Sequence, residues 1–165
     1  MRHRVAVVRC PNYREVSYAL EEGLELLGGI GRFVRPGERI FFKPNLLGAH
    51  TPEQAVTTHP SVVEAVARAF MKAEAEVVIG DSMGPGVPFT PAGLRWTYRR
   101  TGMEEVNQRT GAQLNYDTSG EEVALGGRLV RRANLLRAAL RADGIVNLPK
   151  AKTHTFTLLG CHSLE

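Results

Sequence analysis

Four short polar motifs carry the residues able to do chemistry. Lys150-Ala-Lys152-Thr-His154 alternates two ammonium groups and an imidazole, so an extended backbone sets all three on one side. Lys43-Pro-Asn45 and Gly80-Asp81-Ser82 add a third ammonium, an amide, a carboxylate and a hydroxyl, and His59 stands ahead of Pro60. Crowded ammonium groups repel unless something negative sits between them, which suits a phosphate or carboxylate. Histidine exchanges protons near neutral pH, and a carboxylate can orient it. The expected chemistry is recognition of a small anionic metabolite. Lys43, Asn45, Ser82, Lys150 and Lys152 would hold the ligand, while His59 and His154 carry protons and Asp81 orients one of them. Plainer roles exist for each: Lys43 and Asn45 can shape a turn around Pro44, and Asp81 and His59 can cap loops or helices.

The choice of base sharpens this expectation. The chain has 17 Arg and only 4 Lys, and three of those lysines, Lys43, Lys150 and Lys152, fall in two of these motifs. Arg supplies the general surface charge; Lys, a compact point charge that can lose its proton when buried, is kept where the motifs are.

These motifs follow apolar runs that read as strands. Arg4–Arg9, Arg39–Lys43, Glu76–Gly80, Gln113–Tyr116 and Gly144–Leu148 are the expected strands, with a hairpin of Val123–Leu125 and Leu129–Val130 about a Gly126-Gly127 turn. Between them, Asn12 and Glu15 have the spacing of a capping box before Val16, Leu20, Leu24 and Leu27, which recur at helical intervals until Gly28-Gly29. Pro60 and Thr90-Pro91 open two further helices, the second interrupted at Gly102, and Leu135–Leu140 is read as a last one. Strands alternating with helices predict an α/β fold, Rossmann-like and three-layered, with a mostly parallel sheet and helices on both faces. In such sheets ligands bind outside the carboxyl ends of the strands, which is where all four motifs fall.

Composition narrows the function classes. At 165 residues with 43% hydrophobic and 23% charged residues, the chain is expected to be a single α/β domain over residues 1–165. Val5–Val8 is too short for the core of a signal peptide, and no run approaches the length of a membrane helix, so a cytoplasmic location and no membrane partner are expected. No metal site is expected, because His59, Asp81, His154 and Cys161 lack metal-ligand spacing. There is no Walker A sequence and no Gly-x-Gly-x-x-Gly after a strand. Arg95-Trp-Thr-Tyr-Arg-Arg100 mixes bases with aromatics, but one buried aromatic face of a helix explains it, and no nucleic-acid partner is expected.

Phe42-Lys-Pro-Asn-Leu46, Thr58-His-Pro-Ser-Val62, Ala75-Glu-Val-Val-Ile-Gly-Asp-Ser82, Tyr98 to Gly111 and Asn147-Leu-Pro-Lys-Ala-Lys-Thr-His154 occur in this order. In these motifs the chain resembles the domain-of-unknown-function 362 family, from Val5 to about Leu159. That family has no settled activity. Many members carry a ferredoxin-like segment with iron–sulfur clusters, so the resemblance implies redox chemistry or a ferredoxin-type partner. No cofactor is carried over to this chain, because two cysteines, Cys10 and Cys161, cannot supply the thiolates of an ordinary cluster. Two further departures stand out. Glu74 occupies a position where such sequences commonly have Gly. Family members also continue past the Lys-Thr-His motif, and Leu164-Glu165 has the form of a cloning scar, so the chain is read as the N-terminal part of a longer protein. The leading expectation is metabolite binding at the strand ends, with membership of a redox enzyme as what the resemblance adds. The alternative is a non-catalytic docking module for an iron–sulfur electron-transfer partner.

Overall fold

The computed structural model describes residues 3–84, 86–154 and 158–160, with the backbone alone at 154 and 158–160. Helix α1 (Val16–Leu27) stops at Gly28, whose φ of 100° is left-handed. The N–H groups of Gly28 and Gly29 return to the carbonyls of Glu25 and Leu24, which closes the helix end. Strand β1 (Arg39–Pro44) follows, with Ile40, Phe41 and Phe42 all buried. Helix α2 (Pro60–Lys72) starts on a proline whose missing N–H costs nothing at that position, and it turns Val63, Val66, Ala67 and Phe70 inward. Strand β2 (Glu76–Ile79), helices α3 (Pro91–Arg100) and α4 (Met103–Thr110), and strand β3 (Gln113–Leu114) complete this half. Gly102, with φ 79°, makes the break between α3 and α4. Beyond it come β4 (Gly120–Ala124), β5 (Arg132–Leu136), the single turn α5 (Arg137–Leu140), β6 (Gly144–Leu148), β7 (Lys152–His154) and β8 (Leu158–Gly160).

The main sheet has four strands in the order β3-β2-β1-β6, and every pairing is parallel. Register sets Phe42 against Ile79 on one side and Pro44 against Leu148 on the other, so the carboxyl ends of β1, β2 and β6 share one edge. Ile40, Phe42, Val77 and Ile79 join a single core with Val63, Phe70, Leu94, Tyr98, Met103 and Val106 from α2, α3 and α4. By alternation Phe41 and Val78 face the other way, and they too are buried. Burial on both faces is what turns parallel strands into continuous apolar runs. The fold is α/β and Rossmann-like, as the alternation of elements predicts. Among the described residues, no helix is long and apolar enough to cross a membrane.

Three local expectations are corrected. Arg4–Arg9 forms no strand, and Val5 and Val7 are 82% and 89% exposed. The Asn12–Glu15 capping box does not form: Asn12 instead turns its carboxamide onto the Arg14 N–H, and Glu15 stands at the helix start with no side-chain cap. The hairpin is wider than a two-residue turn. β4 pairs antiparallel with β5, Val123 opposite Ala133, so Leu135 and Leu136 lie in a strand and the last helix shrinks to one turn.

Glu74 has a φ of 63°, the left-handed conformation that glycine takes without penalty. It stands just past α2, where its carbonyl accepts from the Gly37 N–H. For a residue with a Cβ this conformation costs about 1–2 kcal/mol. Glycine would relieve that while losing about 0.4–1 kcal/mol to the greater freedom of its unfolded chain. Glu74→Gly is therefore expected to raise the urea midpoint, by about 0.5–1 kcal/mol of stability. Glu74→Ala, which keeps the Cβ, should give no gain. A Glu74→Gly protein less stable than the parent would refute the strain.

Candidate functional site

Along the sheet, the chain steps one way from β1 to β2 to β3 and the other way to reach β6. The crevice outside the carboxyl ends of β1 and β6 is therefore a point where strand order reverses, the usual place for a ligand in an open parallel sheet. The expected site residues gather around it.

Asp81 follows β2 and is fully buried, and its carboxylate is the hub of the rim. One oxygen accepts from Lys43 Nζ at 2.6 Å and from the Ser82 N–H at 3.0 Å; the other accepts from the Leu46 N–H at 2.8 Å. The Lys43 side chain is 15% exposed. A buried carboxylate needs this much compensation, because ionisation without a partner is costly. Asp81 thus holds Lys43 and the start of the loop after β1.

Thr58 is the stitch that the sequence reading missed. Its N–H donates to the Asn45 carbonyl at 2.9 Å. Its hydroxyl accepts from the Asn45 N–H at 2.9 Å and donates to the Leu148 carbonyl at 2.6 Å, joining the ends of β1 and β6. The signal was available, since Thr58 opens one of the five motifs. Asn45, fixed in this way, accepts through Oδ1 from Lys152 Nζ at 3.0 Å, and Lys152 also donates to the Val56 carbonyl at 2.9 Å. Next to this pair, the Thr57 hydroxyl is buried and has no hydrogen-bond partner among the described residues.

His59 is the N-cap of α2. Its Nδ1 accepts from the Ser61 N–H at 3.2 Å, so in the neutral ring the proton sits on Nε2. Its ring lies flat on Tyr13, with centroids 3.7 Å apart and planes 6° apart. Tyr13, from the segment ahead of α1, also accepts from Lys150 Nζ at 3.1 Å. Partial burial, and then the positive charge of Lys150, hold the His59 pKa below its ordinary value, against a smaller opposing pull from Glu53. His59 is therefore neutral at pH 7. Its contribution to stability is full above its unfolded value near 6.5 and is lost as pH falls through that value towards the lowered folded one.

The structure thus brings Lys43, Asn45, His59, Asp81, Ser82, Lys150 and Lys152 to one edge. It gives Lys150 and Lys152 different partners, the Tyr13 hydroxyl for the first and the Asn45 and Val56 oxygens for the second. The His154 backbone pairs with Leu158 in the β7–β8 ladder, and its side chain lies outside the described residues. Cys161 lies outside them too. Two cavities are formed by α1 and the segment before it: one of about 550 Å³ lined by Tyr13, Val8, Cys10, Val16 and Val62, and one of about 470 Å³ between α1 and α2. Among the described residues there is no cluster of three or more His, Cys, Asp or Glu suited to a metal. An iron–sulfur cluster does not fit this chain's donors either: Cys10 is exposed and turned onto the Asn12 carbonyl, and Cys161 is the only other thiol.

Comparison with known proteins adds a family. No solved structure matches the chain. A thylakoid-associated protein of Synechocystis is 32% identical over 152 residues, which cover 91% of this chain and 45% of that relative. The chain thus spans about half the length of the curated relative that it matches. Residues 40–162, which include β1, β2, β6 and the rim between them, match the family model described as Domain of unknown function (DUF362). The chain belongs to the DUF362 family.

Proposed function

We propose that the carboxyl edge of the sheet binds a small anionic metabolite, with Lys43, Asn45, Ser82, Lys150 and Lys152 around the ligand. His59 and His154 serve as proton carriers in this reading, and Asp81 fixes Lys43 rather than touching the ligand. One observation carries the proposal: three of the four lysines of an Arg-rich chain converge where strand order reverses between β1 and β6. A role within a redox enzyme, with clusters housed in a ferredoxin-type partner, is compatible with this reading, since the chain's own cysteines are too few. A cytoplasmic location, with contact to a membrane surface left to partners, is part of the same proposal. The relative's thylakoid association is the observation that would extend it to a membrane-bound assembly.

Thermal unfolding with phosphate, sulfate or a dicarboxylate tests it. A ligand at a hundred times its dissociation constant stabilises the native state by about 2.7 kcal/mol, which is readily seen as a rise in Tm. The parent protein should show the rise. Lys150→Ala and Lys152→Ala should lose most of it, each measured against its own ligand-free Tm. Lys72→Ala, in the last turn of α2, should keep it. Equal responses from all four proteins, or none from the parent, would contradict the proposal.

A further inference from the structure

Helix α1 has the apolar spacing of a packed helix, yet none of its residues is fully buried. Val16, Ala19 and Leu20 stand instead along the cavity of about 550 Å³, with Val8 and Pro11 from the segment before α1 and Val62 from the first turn of α2. Among the described residues, no charged side chain lines it. An apolar wall with no packing partner forgoes both the dispersion contacts and the release of water that burial brings. The volume lies within the range of about 300–1,000 Å³ typical of small-molecule sites.

Tyr13 belongs both to this cavity and to the rim. It lines the cavity, and its ring also stacks on His59. Its hydroxyl accepts from Lys150 Nζ at 3.1 Å, the ammonium being 5.8 Å from the ring centroid. Val62 gives a second link, since its N–H donates to the His59 carbonyl at 3.0 Å. Among the described residues Lys150 meets no carboxylate; its hydrogen-bond partner is a neutral phenol. A positive charge and an uncharged apolar cavity therefore share one side chain as their border.

We propose that the ligand is an amphipathic anion, with its anionic head on Lys150 and an aliphatic tail in the cavity lined by Tyr13, Val16, Ala19 and Val62. The inference rests on the anion reading above and names the class of ligand.

The two halves of the border ask for different chemistry. An anionic oxygen gives Lys150 a charge-assisted bond stronger than the one to the phenol. A wholly polar anion would do this and leave the walls of the cavity wet. An uncharged apolar molecule would fill the cavity and leave the ammonium on the phenol. A single chain ending in a carboxylate or phosphate satisfies both, and a chain ending in an ammonium is repelled.

Cys10 lines the same cavity and is exposed, so its thiol can report occupancy. In a Cys161→Ser background, modification of Cys10 by the uncharged reagent N-ethylmaleimide is followed against acetate, butanoate, hexanoate and octanoate. Half-protection should need about tenfold less ligand for each pair of methylenes added, slightly less than full burial of both gives. Octylammonium, with a similar tail and the opposite charge, should protect at least tenfold more weakly than octanoate. Lys150→Ala should erase that preference. Ala19→Leu, which fills the cavity from a helix position that carries no core contact, should flatten the chain-length series while sulfate still raises its Tm. Equal protection by octanoate and octylammonium, or a flat series in a parent whose Tm still rises with sulfate, would overturn the tail and leave the anion site standing. If sulfate does not raise the Tm either, both readings fall.

Discussion

Lys43→Met is expected to cost about 3 kcal/mol of stability, the lower end of what breaking a buried ion pair costs. The substitution keeps the stem that packs beside β1 and removes the ammonium 2.6 Å from Asp81. The carboxylate stays fully buried and keeps its amide donors, Leu46 N–H and Ser82 N–H, which soften the loss. Asp81→Asn removes the charge and keeps an acceptor for one of those two amides. The double variant Lys43→Met/Asp81→Asn should therefore recover part of the stability lost in Lys43→Met. Urea unfolding of the parent, both single variants and the double gives the coupling energy directly. A cost under about 0.5 kcal/mol for Lys43→Met would mean that the pair behaves as a surface ion pair. The rim would then have no buried electrostatic hub.

Gly80→Ala is expected to be the next most damaging change at the rim. A Cβ on Gly80 would stand 2.8 Å from Cζ and 2.9 Å from Cε2 of Phe41, and 3.1 Å from the Asn115 Cβ. Phe41 is only 2% exposed, so its ring has no open space to swing into. Overpacking of this kind costs about 1–3 kcal/mol. It would also displace the turn from β2 into Asp81, since the Gly80 N–H is held by the Phe42 carbonyl at 3.0 Å. Reduced stability and weakened anion response together are the expected result. Gly31→Ala, where a Cβ meets nothing, is the control and should change neither.

Much of this arrangement was legible from local pattern, and the reason is physical. Parallel strands buried on both faces must be short apolar runs, so Ile40-Phe41-Phe42 and Val77-Val78-Ile79 announced themselves, and the polar residues after them had to lie at strand ends. The same argument misled at Val5–Val8, where an apolar run shows only that a segment could pair, not that it does. β6 reaches β1 through a pairing about a hundred residues distant in sequence, Ile40 opposite Gly144, which no local pattern reports. The hairpin misled because Gly126-Gly127 suggested a two-residue turn, whereas the chain closes a wider loop with the Leu125 N–H on the Arg131 carbonyl. At the site, residue types could be read but pairings could not. The register of β1 against β2 delivers Lys43 to Asp81, a pairing that residue types alone do not announce. Tyr13 was invisible because its two contacts span 46 and 137 residues of chain.

The central claim is that the β1–β6 crevice is an anion site, and the chain's sparing use of lysine offers a direct measurement. With only four lysines, selective labelling of the lysine side chains gives four Nζ-proximal NMR signals, each identified by a single substitution. Titration with sulfate is expected to move Lys150 and Lys152 together along one saturating curve, with a smaller movement at Lys43 through its bond to Asp81. Lys72, exposed on α2, should stay in place. Four signals that drift in parallel without saturating would show nothing beyond general screening of surface charge and would contradict the account.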